Sequence, residues 1–155
     1  MVGGEESIFN KCFDLLKILG NPTLVGPVSS GQISKLANQI MVGVTIGAVA
    51  EAVTLCEKSG TNPSKMIKAL SGGWADSKIL QTHGKRMINK DFSPKGKTST
   101  QLKDMTNIIN AGKAAELHLP ISSLIKEMYK NLVKEGHGNT DHSSLYNEIN
   151  KLNKK

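Results

Sequence analysis

The apolar residues of this chain recur mostly at helical spacing, and alternating strand-like segments are nearly absent. Over Ser7–Leu19 the apolar positions follow a period close to 3.6, which predicts an amphipathic helix. Gly20 and the Asn21–Pro22 pair are typical of the end of such a helix. The segment "TLVGPV" at 23–28 is the one convincing strand-like piece, and "MVGG" at 1–4 resembles the end of another strand.

A much longer apolar segment begins at about 29–31 and runs to about Ser59. The serines at its start are good acceptors for the first amides of a helix. Leu36–Ala50 carries no charge, so this helix is apolar on nearly every face and must be covered by neighbouring helices or by a second subunit. That uncharged run is shorter than the roughly 20 residues of a membrane span, and it includes polar side chains. A buried core helix is therefore favoured.

Turn-forming residues divide the rest of the chain into further helical segments. Glycines and prolines separate these segments, and Pro63 and Pro120 suit the first turns of the helices that follow them. The further helices are predicted at 64–70, 77–89, 98–117, 121–135 and 143–153. The whole pattern predicts an all-α fold, a helical bundle around one long apolar central helix.

Composition narrows the class of protein. The 155 residues suit one domain. The net charge is +7, but the lysines are scattered and aromatic residues make up only 4%, which favours a solvated, lysine-rich surface over nucleic-acid binding. Cys12 and Cys56 form no CxxC pair, which indicates a reducing compartment and disfavours a disulfide framework. The first residues do not resemble a signal peptide, and we expect a cytoplasmic protein with no membrane association.

Lys35 is a lone charge where the long apolar segment begins. On a helix, residues i, i+3 and i+4 share one face, so Lys35 lies beside Asn38 and Gln39. The helix N-terminus and partial burial both disfavour a second positive charge, which would leave the amine able to donate and to accept a proton. The alternative is a lysine that extends from the helix end into water, with two ordinary polar neighbours. Spacing alone favours that alternative.

A glycine pair marks a second motif, "LSGGWADSKIL" at 70–80. Gly72 and Gly73 separate two helices and would let a backbone approach a ligand closely. Trp74 could form the wall of a pocket beside them. Taken alone, the motif favours a tight turn with Trp74 packed in the core.

The remaining polar motifs are weaker. Lys103 and Asp104 form a charge pair that, on its own, indicates a solvated helix face. Asp141 is well placed to cap the last helix. His137 and His142 could bind metal, but histidines without thiolates make a weak ligand set, and no metal site is predicted. The fingerprints GxGxxG and GxxxxGK[ST] are both missing from these 155 residues.

Five motifs taken together resemble the C-terminal domain of the β-hydroxyacid dehydrogenases. They are "GPVSSGQISKLANQIMVGVTIGAVAEAVTL", "SGGWADSKIL", "FSPKGKTSTQLKDMTN", "LPISSLIKEMY" and "GHGNTDHSSL". The family includes 3-hydroxyisobutyrate dehydrogenase, tartronate semialdehyde (2-hydroxy-3-oxopropionate) reductase and, more distantly, 6-phosphogluconate dehydrogenase. The last motif is most similar to the tartronate semialdehyde reductase branch. The resemblance implies an NAD(P)-dependent oxidoreductase that acts on a small β-hydroxyacid or its semialdehyde.

The resemblance also assigns roles to residues. Lys35 falls on the catalytic lysine of the family, the general acid in reduction and the general base in the reverse direction. Asn38 and Gln39 fall where the family places a substrate-orienting carboxamide, and the resemblance leaves open which of the two does this. Gly72 and Gly73 match a motif that implies substrate binding.

Lys103 falls on a lysine that approaches the cofactor. Two positions depart from the family pattern: 92–96 reads FSPKG where relatives have F-x-P-G-F, and Ser29 stands where glycine is common.

The resemblance implies a particular domain organisation. Residues 1–28 are expected to be the end of the linker from an absent N-terminal Rossmann domain, with a helix at about 7–19, and 29–155 the all-helical substrate and oligomerisation domain. NAD or NADP would serve the intact enzyme, and no tight binding to this chain alone is expected, because pyrophosphate binding belongs to the Rossmann domain. The expected partners are the substrate, that domain and further copies of the chain in a dimer or tetramer. The alternative is a non-catalytic oligomerisation or binding module.

Overall fold

The computed structural model describes residues 1–153, and within that range the protein is all-α, as predicted. Regular extended structure is limited there to two isolated β-bridges. A π-helical turn at Leu80–Gly84 leads into α4, and two short 3₁₀ turns lie at His137–Asn139 and His142–Ser144. The α-helices of these residues are α1 Glu6–Lys17, α2 Ser30–Lys58, α3 Pro63–Leu70, α4 Lys85–Ile88, α5 Thr98–Ala114, α6 Pro120–Lys134 and α7 Leu145–Leu152.

The chain forms two compact units, Met1–Gln39 and Ile40–Lys155. The long helix α2 begins in the first unit and continues into the second. Within the residues described, α2 is the one helix long and apolar enough to cross a membrane by length and composition, a test that core helices of soluble proteins also pass. The predicted domain boundary after Val28 stays a prediction.

In the first unit, two short extended segments run parallel on either side of α1 in the chain. The amide of Val2 donates to the carbonyl of Thr23 at 2.8 Å, and the amide of Val25 donates to the carbonyl of Val2 at 2.9 Å. A helix that joins two parallel extended segments is the βαβ connection. Every apolar side chain of α1 is at least partly exposed within the structure, and Leu15 is 68% exposed. This helix face is thus uncovered in the described residues.

In the second unit, α2 buries one face through small residues. A Cβ on Gly43 would lie 2.8 Å from Met105 Sδ, and a Cβ on Gly47 would lie 2.5 Å from Ile125 Cδ1, so glycine lets α5 and α6 side chains approach the helix backbone. Helices α5 and α6 also pack against each other. The largest fully buried apolar side chains of this core are Ile46, Val53, Met87, Met105, Ile108, Tyr129, Leu132 and Leu145.

Two features differ from the sequence expectations. The π-helical turn Leu80–Gly84 interrupts the single helix predicted at 77–89. The sequence did not predict this turn, because apolar residues over so short a segment do not distinguish a π turn from a regular α-helical turn. The prediction that Trp74 packs in the core is wrong, because its side chain is fully exposed in the structure.

Candidate functional site

The first unit brings together the three residues expected at the catalytic centre. They lie in the first turns of α2, where the 3.6-residue repeat places i, i+3 and i+4 on one face. The ammonium of Lys35 donates to Gln39 Oε1 at 2.8 Å, and the Asn38 carboxamide donates to the same oxygen at 2.9 Å. Gln39 therefore fixes both neighbours through one acceptor.

The exposure of this cluster differs from the expectation of partial burial. Lys35 and Asn38 are exposed within the described residues, and Gln39 is half-buried. The amine is thus presented from the amino-terminal turns of α2 rather than enclosed by them. Just before the helix, Ser29 has a φ of 77°, a left-handed conformation that favours glycine. Glycine is common at this position in the family that the sequence resembles.

The glycine pair lies in the second unit, in a turn fixed by its own hydrogen bonds. Gly72 has a φ of 76°, and its amide donates to Asp76 Oδ2 at 2.8 Å. Asp76 also accepts from Gln81 at 2.8 Å, and these bonds lower the pKa of Asp76. Gly73 donates its amide to the carbonyl that ends α3. The turn thus holds a defined backbone shape while Trp74 stands in solvent.

Lys103 lies on α5, in the second unit, away from that turn in the chain. Its side chain is 64% exposed, and its ammonium lies 3.3 Å from Asp104 Oδ1. This is the solvated pair that the sequence alone indicates, on a surface where a long cationic side chain can reach an anionic ligand. Whether it contacts a cofactor stays a prediction, as do the roles of Lys35, Asn38, Gln39, Gly72 and Gly73.

Asp141 does more than cap the last helical turns. Its side chain is completely buried, and Oδ1 accepts from the Ser143 amide at 3.1 Å and from the Ser143 hydroxyl at 2.6 Å. Asp141 thus caps the 3₁₀ turn His142–Ser144 rather than the last helix itself, whose N-cap is Ser144. Its second oxygen accepts from the amides of Lys95 at 3.1 Å and Gly96 at 3.0 Å. Burial alone would raise the pKa of Asp141, but these hydrogen bonds outweigh it and lower the pKa to about 2.

Sequence reasoning missed the residues that surround this carboxylate. His83 Nδ1 lies 3.9 Å and Arg86 Nε 3.4 Å from Asp141 Oδ1, although both are more than 50 positions away in the chain. The rings of His83 and His142 meet edge to face with centroids 4.7 Å apart. No local spacing joins these residues, so no sequence signal could have found them.

The cluster of His83, Asp141 and His142 has the donor types of a metal site, with one ligand atom from each within 4.8 Å of the others. Its electrostatics disfavour a cation. The Arg86 guanidinium already lies beside Asp141, and hydrogen bonds occupy both carboxylate oxygens. The sequence pairs His142 with His137 as a weak ligand set, whereas the structure brings His142 next to His83.

Comparison with known proteins identifies relatives over nearly the whole chain. A family model described as the NAD-binding region of NADP-dependent 3-hydroxyisobutyrate dehydrogenase matches residues 29–149. The 2-hydroxy-3-oxopropionate reductase of Escherichia coli is 40% identical over 146 residues, covering 94% of this chain and 50% of the reductase. A probable mitochondrial 3-hydroxyisobutyrate dehydrogenase-like protein of Arabidopsis thaliana is 29% identical over 97% of this chain and 45% of its own length.

Solved structures agree with these sequence relatives. The 3-hydroxyisobutyrate dehydrogenase of Mycobacterium tuberculosis, determined with L-serine, superposes with a TM-score of 0.87 at 25% identity, covering 96% of this chain and 54% of the dehydrogenase chain. The dehydrogenase of the same name from Salmonella typhimurium gives a TM-score of 0.83 at 22% identity, over 94% of this chain and 52% of its own. The chain spans about half the length of the relatives it matches.

Proposed function

Because the chain belongs to the 3-hydroxyisobutyrate dehydrogenase family, we propose that it supplies the acid–base half of an NAD(P)-dependent oxidoreductase. The proposed substrate is a small β-hydroxyacid or its semialdehyde, of the 2-hydroxy-3-oxopropionate or 3-hydroxyisobutyrate type. One observation carries the proposal beyond family membership: in the first turns of α2, Lys35 and Asn38 both donate to the carboxamide oxygen of Gln39. An amine held beside hydrogen-bonding amides can both bind an oxygen and move its proton.

In the proposed reduction, Lys35 holds a proton on Nζ and gives it to the substrate oxygen as the carbonyl carbon gains its new C–H bond. In oxidation the same nitrogen accepts the hydroxyl proton. NAD(P), when bound, supplies or accepts the hydride. Gln39 Oε1 orients the lysine amine, which leaves the exposed Asn38 carboxamide to face the substrate.

The residues present fit an anionic dinucleotide. The Lys103 side chain extends into solvent from α5, and the chain carries a net charge of +7. The proposed partner that completes the cofactor site is a dinucleotide-binding α/β domain. The parallel Val2–Leu24 bridge and the uncovered face of α1 support this, since parallel strands occur almost always in sheets with helices on both faces.

A chimera tests the proposal directly. The matching 146 residues of the Escherichia coli reductase are replaced by this chain. NADH and NADPH oxidation is followed with 2-hydroxy-3-oxopropionate, and NAD⁺ and NADP⁺ reduction with 3-hydroxyisobutyrate. We expect turnover by the chimera and none by the 155-residue chain alone. A folded chimera without activity on either substrate type would refute the proposed function.

A lysine variant of the same chimera tests the proposed role of Lys35 separately. Lys35→Ala should lower kcat about 10²- to 10⁴-fold, the usual contribution of a positioned proton donor. Lys58→Ala, in the last turn of the same helix, is the matched control and should leave kcat unchanged. Equal activity of the two variants would remove Lys35 from the mechanism while leaving the function in place.

A second candidate function, self-association without chemistry, is favoured by one surface. Met41, Ala48 and Leu55 recur every seven residues on α2, and all three are exposed. Ala48 lines an apolar groove with Leu124 of α6. A heptad-spaced apolar stripe is the seam by which two helices pack.

Sedimentation measurements separate this candidate from simple exposure of apolar residues. Leu55→Glu should weaken association of the chain. Leu15→Glu on α1 is the matched control, because Leu15 and Leu55 are both 68% exposed, and it should have no effect on association through this stripe. A wild-type chain that sediments as a monomer at all concentrations would refute this candidate.

A further inference from the structure

The backbone and the buried carboxylate of Asp141 join two distant segments of the second unit. The backbone amide of Asp141 donates to the carbonyl of Phe92 at 3.0 Å, and its Oδ2 accepts from the amides of Lys95 and Gly96. The His142 amide donates back to the carbonyl of Gly96 at 2.7 Å. These bonds attach the loop 92–97 to the turn that precedes α7.

The same attachment fixes the amino end of α5. Thr98, the first residue of that helix, donates its amide to the carbonyl of Thr140 at 2.9 Å, and its hydroxyl is 3.2 Å from the carbonyl of Asp141. The side chain of Thr98 is fully buried. The loop and the first turn of α5 therefore depend on one small polar core.

Two half-buried imidazoles complete this core. The ring of His142 covers Gly96 so closely that a Cβ there would lie 3.1 Å from Cε1 and Nε2. His142 Nδ1 lies 3.3 Å from Gln101 Oε1. His83 Nδ1 is buried without a hydrogen-bond partner, and it is aimed at Asp141, 3.9 Å away.

The charges around the imidazoles oppose their protonation. Burial lowers the pKa of His83 most, and His142 and Arg86 lower it further, while Asp141 raises it. Burial also lowers the pKa of His142 most, with Asp141 raising it and Arg86 lowering it. Asp141 is the buried carboxylate among these groups, and Arg86 already lies beside it. Arg86 Nη1 also lies 3.6 Å from the half-exposed carboxylate of Asp91. The Tyr129 hydroxyl faces the core as well and donates to the His142 carbonyl at 3.1 Å.

We propose that the His83–His142 pair is an acid-sensitive latch whose protonation releases the loop 92–97 from Asp141 and loosens the amino end of α5. A second positive charge beside Arg86 has no further buried carboxylate to pair with, so opening to water relieves it. The latch does not depend on the proposed function. Loosening α5 would also loosen Lys103, and that effect on cofactor binding rests on the proposed function.

The sign of the pH dependence follows from linkage. Both imidazoles have a lower pKa in the folded state than in the unfolded state, so the open or unfolded form binds protons first as the pH falls. The stability of the closed latch is full above the unfolded pKa of about 6.5 and is lost below it. The opening constant rises up to about tenfold per pH unit for each proton taken up.

Residue-resolved hydrogen exchange of the 155-residue chain tests the latch. Protection factors for the amides of Lys95, Gly96 and His142 should fall between pH 7.5 and pH 5.5, while the amide of Ile46 in the core of the second unit keeps its protection. The double variant His83→Gln/His142→Asn should abolish this fall, because neither replacement titrates. His118→Gln, at an exposed histidine, should behave as the wild type. Constant protection at the three amides of the wild type would overturn the proposal.

A second measurement keeps the test independent of the variants' folding. In an NMR titration of the wild type, the ring protons of His83 and His142 should shift with the same midpoint as the three amides. Different midpoints would overturn the latch. So would a rise in Tm with Zn²⁺ that the double variant abolishes, since these imidazoles would then be metal ligands.

Discussion

Asp141→Asn removes one charge from the buried core of the second unit and leaves the shape of the side chain almost unchanged. The carboxylate accepts four hydrogen bonds, two at each oxygen, from Ser143, Lys95 and Gly96. A carboxamide has one oxygen, so its NH₂ group must face one of the two donor pairs. If it faces Lys95 and Gly96, both amides lose their acceptor. If it faces Ser143, the hydroxyl can turn to accept from it, and the Ser143 amide alone loses its acceptor.

Two considerations that rest on the same hydrogen bonds give the magnitude of the loss. The pKa of about 2 against an ordinary 3.8 means that protonation of Asp141 costs about 2.5 kcal/mol of folding stability. The asparagine leaves one or two donors unsatisfied, at about 1 to 3 kcal/mol each, and leaves Arg86 with only the half-exposed Asp91 as its anion. We expect a loss of about 3 to 5 kcal/mol in the free energy of unfolding.

Urea unfolding at pH 7, followed by far-UV circular dichroism, measures this loss. Asp14→Asn, at an exposed carboxylate on α1, is the matched control and should stay within about 0.5 kcal/mol of the wild type. If Asp141→Asn leaves too little folded protein, Ser143→Ala removes the 2.6 Å bond alone and should cost about 1 to 2 kcal/mol. The reasoning is wrong if Asp141→Asn costs less than 1 kcal/mol.

Three further predictions concern single positions elsewhere. Ser29→Gly should raise the free energy of unfolding by about 0.5 to 1 kcal/mol, because glycine relieves a left-handed φ of 77° but loses more chain entropy; a lower Tm would contradict this. Tyr129→Phe should cost about 1 to 2 kcal/mol in urea unfolding, since the His142 carbonyl loses its donor, and an unchanged midpoint would count against that bond. The fluorescence of Trp74, the single tryptophan, should be fully accessible to acrylamide in the isolated chain, and a shielded indole would contradict its exposure.

The sequence predicted the fold well because each long helix has a strong apolar pattern and clear ends. Pro63 and Pro120 mark helix starts as expected, and α2 begins and ends within a residue or two of its predicted bounds. The prediction that Trp74 packs in the core was wrong. A large apolar side chain is found in cores and also on surfaces that a partner covers, so its size alone does not decide between the two. Composition therefore does not separate a core tryptophan from an exposed one.

The candidate site was predictable only where it is local. Lys35, Asn38 and Gln39 meet because one helical turn brings them together, and that spacing is visible in the sequence. His83 and Arg86 reach Asp141 through the packing of three segments. Such contacts follow from tertiary structure, and one sequence contains no pattern that reports them.

The π-helical turn Leu80–Gly84 determines how this part of the chain responds to changes in length. A π turn is an α-helical turn that has gained one residue, so deleting a residue here would restore regular helix. Because the wider turn absorbs the extra residue, the residues after it would keep their positions, with Arg86 beside Asp141 and Met87 in the core. In regular helix a deletion instead rotates every later residue by about 100° around the axis. Single-residue deletions should therefore be accepted more readily within Leu80–Gly84 than in the regular helices that surround the same core.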